Sequence, residues 1–371
     1  MTPRVAVLRG EWLNPFELQS YVPLVGAYDL FGIGARDGYY ELRSPRVPIV
    51  RLHRLGRSRV ARRVLGERSG RLLGLERILA GCAIVHSAET FLLISEQAAK
   101  ARARRQFKLV LTCWENIPFL HEDDPLIIDR KRVVRDATDL FLAVTESARE
   151  ALLVENVPSD RIAVQPVGLD RGVFRPTERD RSLLDRLSIP DGWSTVLYCG
   201  RLIREKGVVD LVRAAAMVPR TVLVLVGEGP ERTRLEAAAR AQGTSDRLRF
   251  VGAVDYAEMS RLYACADVFC LPSVATPYWQ EQFGMVLVEA MACGTPVVTT
   301  ATGSIPEVVG DAAVLVPAYA PDQLAAALGE LLADAPRRAA LAEAGLQRVA
   351  ERYDATQVAN AIGDLYASLL T

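Results

Sequence analysis

Short runs of apolar residues alternate with helical stretches along the whole chain of 371 residues. The runs are rich in Val and Leu on both faces, as strands of a buried parallel sheet are. Strand–helix alternation of this kind predicts a doubly wound α/β sheet, and the pattern occurs twice. We therefore expect two such sheets in tandem. The predicted strands are Val5–Leu8, Cys82–Val85, Leu109–Thr112, Leu140–Val144, Ile162–Val167, Thr195–Cys199, Val222–Val226, Leu248–Val251, Val268–Leu271, Pro296–Thr299 and Ala313–Val316.

The join between the two sheets is predicted at about residue 170, in the turn-rich stretch 168–176. We expect a first domain at 1–170 and a second at 171–352. The remaining residues, 353–371, have the apolar spacing of a helix, which could pack on either domain. Half of the residues are hydrophobic and 24% are charged, which excludes a disordered chain.

The overall charge and the cysteines exclude several classes of protein. The 45 Lys and Arg balance the 45 Asp and Glu, so a globally basic nucleic-acid-binding protein is not expected. No apolar run is long enough for a transmembrane helix, and the first residues lack the apolar region of a signal peptide. The six cysteines form no CxxC pair, and buried free thiols fit a reducing cytoplasm. We expect a cytoplasmic protein with no nucleic-acid partner.

Two loops at predicted strand ends could hold an anionic ligand, because open parallel sheets bind ligands outside the carboxyl ends of their strands. Gly200 opens a loop in which Arg201 and Lys206 precede a helix, and two cations beside a helix N-terminus favour an anion. Gly227 and Gly229 follow the next strand and permit close backbone approach. The alternatives are solvated surface charges for the first loop and a simple turn for the second.

Two glutamates flank a third predicted helix start. Glu281 precedes a helix that begins near Gly284, and Glu289 lies about one and a half turns into it. A carboxylate accepts two hydroxyls, so ribose or sugar diols are natural partners, and the free helix amides could bind diphosphate. The alternative for Glu289 is an acid on the helix surface. Its neighbours are apolar, however, and an acid on a buried helix needs a partner.

These motifs, taken together and in this order, resemble the retaining glycosyltransferases of family 4, also called glycosyl transferases group 1. The resemblance is specific over about 195–317 and looser over the first 190 residues. It implies the GT-B fold, in which two Rossmann-like domains face each other across a cleft, and a last helix that crosses back onto the first domain. The residues that carry it are Gly200–Gly207, Val226–Pro230, Glu281 and Glu289 with Phe283-Gly284 between them, and Gly303–Glu307.

The resemblance also implies roles for single positions. Arg201 and Lys206 would bind the donor diphosphate, Glu289 the ribose, and Glu281 the transferred sugar near its reacting carbon. No metal or cofactor is expected, since the two cations stabilise the leaving group and the nucleoside-diphosphate sugar is a co-substrate. The further donor contacts would be the backbone amides of Phe283, Gly284, Met285 and Val286, the loop at Gly227, and a base pocket lined by Val251 and Val254.

The first domain departs from the family in one place. The family often has a histidine after the strand that ends here near Thr112, and this chain has Trp114 beside Glu115. Trp114 offers an apolar face for a sugar, or it is a plain core residue. His86 follows the predicted strand 82–85 and is expected to face the cleft, or to be a structural loop histidine. We treat Trp114, Glu115 and His86 as candidate acceptor or sugar contacts.

The segment Arg51–Arg77 contains nine Arg and two Glu, with a broken helical stripe of apolar residues. Such a segment could contact an anionic membrane surface or a lipid-phosphate acceptor. The alternative is a solvated helix in a chain that uses Arg in preference to Lys.

The function expected from this resemblance is retaining transfer of a sugar from a UDP- or GDP-type donor to a hydroxyl. The acceptor would be a glycan, a glycolipid or a small molecule. One alternative is a GT-B sugar-nucleotide epimerase or phosphorylase, and another is a non-catalytic, donor-binding partner subunit. A dehydrogenase is disfavoured because no GxGxxG follows the first strand.

Overall fold

The computed structural model describes residues 2–42, 46–56 and 69–371. The chain divides into two compact units, residues 1–168 with 355–371, and residues 169–354. Each unit is built around one sheet whose described strands all run parallel, with helices between most successive strands. The predicted fold class of two Rossmann-like α/β domains is therefore confirmed.

The first unit contains a seven-stranded sheet in the order β3-β2-β1-β4-β5-β6-β7. Its strands are β1 (Arg4–Gly10), β2 (Asp29–Ala35), β3 (Ile49–Leu52), β4 (Ile84–Ala88), β5 (Lys108–Cys113), β6 (Leu140–Ala143) and β7 (Ile162–Val164). Its described helices are α1 (Pro15–Leu18), α2 (Leu75–Ile78), α3 (Leu93–Arg105), α4 (Pro125–Ala137), α5 (Glu146–Val154) and the C-terminal α14 (Ala355–Leu370).

The apolar pattern missed β2 and β3. The sequence of β2 contains Gly32 and Gly34, which dilute the run of apolar residues. A Cβ at Gly32 would lie 2.7 Å from Cδ1 of Ile49 in β3, which is the far end of a side chain that can move. The contact is tight but does not by itself require glycine.

The second unit contains a six-stranded sheet in the order β10-β9-β8-β11-β12-β13, at the six predicted places. Its strands are β8 (Ser194–Cys199), β9 (Thr221–Val226), β10 (Leu248–Gly252), β11 (Val268–Leu271), β12 (Val297–Thr300) and β13 (Ala313–Val316). Its described helices are α6 (Arg181–Arg186), α7 (Val208–Met217), α8 (Arg232–Ala241), α9 (Met259–Ala264), α10 (Met285–Ala292), α11 (Ile305–Val309), α12 (Pro321–Ala333) and α13 (Ala335–Arg352).

The last helix, α14, packs on the sheet of the first unit. Its residues Val358, Ile362 and Tyr366 are buried in one apolar cluster with Val5 of β1 and Ile84 of β4. Successive strand residues point to opposite faces, so the alternate residues of β1 and β4 belong to a second cluster on the other face. The C-terminal helix thus completes one of the two layers that cover the first sheet.

Among the described helices, none is long and apolar enough to cross a membrane. Residues 57–68, the middle of the arginine-rich segment, lie outside the described residues. All six cysteines are free, and five of them are buried.

Candidate functional site

Three loops at the carboxyl edge of the second sheet pack backbone against backbone. Gly207 has a φ of 64°, and a Cβ there would lie 2.0 Å from the carbonyl oxygen of Pro272. A Cβ on Gly227 would lie 2.1 Å from the carbonyl oxygen of Gly200. No side chain fits at either contact, so the glycines that the motifs contain are required for the loops that follow β8, β9 and β11 to meet.

Lys206 and Glu281 form an ion pair at this edge. The Lys206 Nζ donates to Glu281 Oε2 at 2.6 Å, and their side chains are 13% and 9% exposed. Ser273 Oγ donates to the same carboxylate oxygen at 2.7 Å. The Lys206 ammonium also lies 5.3 Å from the ring centroid of Trp279, within range of a cation–π interaction. The candidate anion-binding cation and the candidate sugar-binding carboxylate are thus directly bonded to each other.

The backbone holds both partners of this pair in place. Lys206 ends a 3-10 turn, Arg204–Lys206, whose Glu205 carbonyl accepts from Val274 N at 2.8 Å. The Glu281 carbonyl accepts from Ser304 N at 2.9 Å. A Cβ on Gly303 would lie 2.3 Å from that same carbonyl oxygen. The Gly303 motif therefore packs directly against the Glu281 backbone and fixes its position.

Helix α10 begins beside this pair. Gly284, its N-cap, has a φ of 81°, and among the described residues no side chain caps the helix. The ring of Phe283 is buried edge-on against Tyr353, with centroids 5.6 Å apart, so only the backbone of Phe283 can serve a ligand. The first-turn amides of Met285 and Val286 form part of a helix N-terminus, which favours negative charge.

Glu289 lies in α10 and is 3% exposed. Its Oε1 accepts from the Tyr256 hydroxyl at 3.0 Å and its Oε2 from the Tyr263 hydroxyl at 2.7 Å. Burial raises the pKa of Glu289 to about 7, although the two hydroxyls act in the opposite direction. Glu289 is therefore not a helix-surface acid, and each of its oxygens holds a hydroxyl, as it would hold the hydroxyls of a diol.

The other donor-site candidates lie around this centre. The Arg201 side chain is exposed, and its carbonyl accepts from the Tyr198 hydroxyl at 2.7 Å. Gly227 N donates to the Gly252 carbonyl at 2.7 Å, which ties the glycine loop to the end of β10. Val251 and Val254 flank that strand end and are half-buried. In the described part of the chain, no group of three or more His, Cys, Asp or Glu could hold a metal ion.

In the first unit, His86 is placed differently from the prediction. It lies inside β4 rather than after it, and it is fully buried. Its Nδ1 is hydrogen-bonded to the Tyr366 hydroxyl of α14 and its Nε2 lies 2.8 Å from Thr112 Oγ1. Burial lowers the pKa of His86 well below its usual value. The expectation of a cleft-facing histidine is wrong, because the strand continues to Ala88, three residues beyond the predicted strand end at Val85.

Trp114 and Glu115 are held by Glu89, which directly follows β4. Glu89 Oε1 accepts from Trp114 N at 2.7 Å and from Glu115 N at 3.2 Å. Burial raises the pKa of Glu89 to about 8, and its φ of 55° is unusual for a residue with a side chain. Trp114 is half-buried, and Glu115 Oε1 accepts from Asn116 N at 3.0 Å. A buried acid thus fixes the loop that carries both candidates.

Sequence reasoning missed the groups that bond the predicted residues. Ser273 could have been noticed because it lies next to the end of β11, and Trp279 because it lies two residues from Glu281. The pairing of Glu289 with Tyr256 and Tyr263 spans 33 and 26 residues, and no local pattern signals it. Glu89 was not among the candidates from the sequence, because the strand before it was expected to end at Val85 and not at Ala88.

Comparison with known proteins adds a family match and relatives. Residues 181–348 match the family model "Glycosyl transferases group 1". The D-inositol 3-phosphate glycosyltransferase of Xylanimonas cellulosilytica is 36% identical over 254 residues, which are 65% of this chain and 59% of the relative. That of Salinispora tropica is 31% identical over 318 residues, 80% of this chain and 61% of the relative. The chain thus spans about three-fifths of the length of these relatives.

Solved structures share the fold over nearly the whole chain. Anabaena Alr3699/HepE in complex with UDP matches with a TM-score of 0.81 at 19% identity, covering 98% of this chain and 100% of that one. The sucrose-phosphate synthase of Thermosynechococcus elongatus matches with a TM-score of 0.78 at 24% identity, covering 99% of each chain. The match to the glycosyl transferases group 1 family model, at residues 181–348, lies within the second unit.

Proposed function

We propose that this protein is a glycosyltransferase that moves a sugar from a nucleoside-diphosphate sugar, with retention of configuration, to a hydroxyl of an acceptor. The observation that carries the proposal is the Lys206–Glu281 ion pair beside the start of α10. A cation, a carboxylate and free helix amides within one set of interlocked loops are what a sugar diphosphate needs.

In this proposal the diphosphate accepts hydrogen bonds from the helix amides and lies against the two cations. The amides of Gly284, Met285 and Val286 and the ammonium of Lys206 neutralise the charge that develops on the leaving group, and the exposed Arg201 side chain folds onto it. The backbone amides are fixed before the ligand arrives, because the glycine contacts set the loops. No metal or cofactor takes part in the proposed step.

Glu281 orients the transferred sugar. Its Oε2 is occupied by Lys206 and Ser273. Binding of the diphosphate draws the ammonium of Lys206 towards the phosphate oxygens, and the carboxylate of Glu281 then accepts from a sugar hydroxyl. The acceptor hydroxyl attacks the anomeric carbon on the face that the diphosphate leaves. A phosphate oxygen takes the hydroxyl proton, so that a new glycosidic bond and a nucleoside diphosphate form.

Glu289 holds the ribose. The half-buried Tyr256 hydroxyl is the partner that a ribose diol replaces, whereas Tyr263 is fully buried and stays. The ionised carboxylate accepts both ribose hydroxyls, so a pKa of about 7 makes ribose binding stronger as the pH rises through 7.

The donor and acceptor classes rest on the comparisons. Alr3699/HepE is solved with UDP and with UDP-glucose, which supports a UDP-sugar as the first donor to test. The curated relatives are named for D-inositol 3-phosphate, which supports a hydroxyl-rich acceptor. We place the reaction in the cytoplasm, where the six free thiols remain reduced.

The test begins with calorimetry of the purified chain against UDP, GDP and 2′-deoxy-UDP. We expect UDP to bind more tightly than 2′-deoxy-UDP, and Glu289→Gln to remove most of that difference. Glu258→Gln, a change at an exposed acid, is the matched control and keeps the difference. If neither UDP nor GDP binds, the donor site is not where we place it.

Turnover is then followed as release of nucleoside diphosphate with inositol 3-phosphate and with simple glycosides as acceptors. The anomeric coupling of the product by proton NMR reports retention or inversion. Turnover by the chain alone contradicts a non-catalytic partner subunit. Consumption of the donor without transfer to any acceptor, together with a changed sugar epimer, would identify an epimerase instead.

A further inference from the structure

Three loops of the first unit converge on one arginine. Arg54 follows β3, and its guanidinium donates to both carboxylate oxygens of Asp37, at 2.6 to 3.0 Å, in the loop after β2. Its Nη1 donates to Glu11 Oε1 at 2.9 Å, in the loop after β1. The Arg54 side chain is 14% exposed, so this clamp is largely shielded from water. It joins the carboxyl ends of three adjacent parallel strands, which is where such sheets bind ligands.

Exposed aromatic rings lie on the same two loops. Trp12 is 44% exposed and Tyr39 is 64% exposed, and their ring centroids lie 4.7 Å apart at 43°. A second pair, Phe16 and Tyr40, packs edge to face at 5.4 Å. Trp12 and Tyr39 are large aromatic residues that remain exposed side by side at the carboxyl edge of the sheet, and such exposed apolar patches mark binding surfaces.

Hydrogen bonds hold the backbone that carries the two rings. Trp12 N donates to the Arg9 carbonyl at 3.1 Å, and the Trp12 carbonyl accepts from Asn14 Nδ2 at 2.8 Å. Tyr39 N donates to the Glu11 carbonyl at 2.9 Å, which fixes the two loops to each other. A preformed pair of rings costs little conformational entropy when a ligand binds.

From this arrangement we propose that Trp12 and Tyr39 form a platform that binds a neutral sugar ring of the acceptor; its link to the acceptor rests on the proposed function. The apolar face of a pyranose packs against the aromatic rings, and its equatorial hydroxyls reach the clamp. Glu11 Oε2 has no hydrogen-bond donor among the described residues and can accept from a hydroxyl. We call Trp12, Tyr39, Glu11, Asp37 and Arg54 the ring platform.

The charges of the ring platform favour a neutral polyol over an anionic lipid surface. Two carboxylates, Glu11 and Asp37, bond the Arg54 guanidinium. Carboxylate oxygens accept from sugar hydroxyls, whereas they repel the oxygens of a phosphate or an anionic headgroup. Arg54 lies within the arginine-rich segment, and its guanidinium is engaged by these two carboxylates.

The test is saturation-transfer NMR of the full chain with methyl α-glycosides of glucose, mannose, galactose and N-acetylglucosamine. We expect at least one glycoside to receive saturation. Trp12→Ala and Tyr39→Ala should each lower its affinity at least tenfold. Arg54→Met keeps both rings but opens the clamp, and it should lower the affinity as well. Tyr278→Ala removes an exposed ring of the second unit and should leave the affinity unchanged.

Separate readouts distinguish this proposal from the proposed function. UDP affinity should be the same in Trp12→Ala, Tyr39→Ala and the unchanged protein, while the KM for a glycoside acceptor rises. If no glycoside binds, or if all variants bind it equally while UDP still binds, the ring platform is overturned and the donor site stands. Adsorption of the chain to neutral or anionic vesicles that is lost in Trp12→Ala would identify the rings as a lipid contact and also overturn it.

Discussion

The carboxyl edges of the two sheets are built by different means. In the second unit the loops touch through glycines, as where a Cβ on Gly207 would lie 2.0 Å from Pro272 O. In the first unit the loops are joined by side chains, with Arg54 bridging Glu11 and Asp37. A close backbone contact can be recognised in the sequence from a single glycine at a fixed place in a motif. A side-chain clamp is spread over residues that are far apart along the chain.

Both edges contain a buried glutamate with a raised pKa. Glu289 in the second unit is bonded by two tyrosine hydroxyls, and burial raises its pKa to about 7. Glu89 in the first unit accepts two backbone amides, and burial raises its pKa to about 8. Hydroxyl partners can be exchanged for those of a ligand, while backbone amides cannot leave. The first arrangement suits a binding group, and the second suits a group that shapes a loop.

The largest expected effect is on turnover, at the ion pair. Lys206→Ala should lower kcat by about 10²–10³, or roughly 2.7–4 kcal/mol in the barrier, because the ammonium opposes charge that grows as the glycosidic bond breaks. Steady-state kinetics with saturating donor measures it. Arg204→Ala removes an exposed cation two residues away and should leave kcat within about twofold.

Removal of the Lys206 side chain takes the ammonium away from Glu281 Oε2, while the Ser273 hydroxyl still donates to that oxygen. Lys206→Arg keeps a positive charge in place, so its turnover should be higher than that of Lys206→Ala. The melting temperatures of the two variants should be the same. Equal loss of turnover in Lys206→Ala and Arg204→Ala would mean that the loop, and not the ammonium, carries the effect.

An effect of intermediate size is expected on the free energy of unfolding at Gly207. It separates the cost of the close backbone contact from the cost of the positive φ angle. Gly207→Ala should destabilise the protein by about 1–3 kcal/mol more than Gly243→Ala, measured by chemical denaturation. Both glycines have similar φ values, 64° and 66°, but a Cβ on Gly243 would meet nothing within 4 Å. The two variants share the conformational cost, so their difference reports the contact with Pro272. Equal costs would show that the loops do not need this contact.

The same contrast explains what the sequence could predict. The six strands of the second unit are local patterns, and the structure has them at the predicted places. The glycine and charge motifs are local patterns as well, and they lie in loops that follow these strands. β2 was missed because Gly32 and Gly34 break its apolar run, and His86 was misplaced because polar residues can continue a buried strand when they have partners such as Tyr366. The ion pair of Lys206 with Glu281 spans 75 residues, so it required the fold.

The smallest expected effect is the difference between Glu89 and Glu289 in the pH dependence of folding, at most about 1.4 kcal/mol between pH 7 and 8. The unfolded chain loses the Glu89 proton near a pKa of 4.5, whereas the folded chain keeps it up to about 8. Between these values the folded state binds more protons, so Glu89 lowers the free energy of unfolding as the pH rises, by at most about 1.4 kcal/mol per pH unit. Glu89→Gln keeps an amide-accepting oxygen without titrating. Its stability relative to the unchanged protein should therefore increase from pH 5 to about 8 and then level off. Glu289→Gln should show the same rise but level off near 7, so urea titrations between pH 7 and 8 separate the two. If both differences are flat across this range, the two acids are ionised in the folded protein at neutral pH. The comparison of two buried glutamates with raised pKa values would then be wrong.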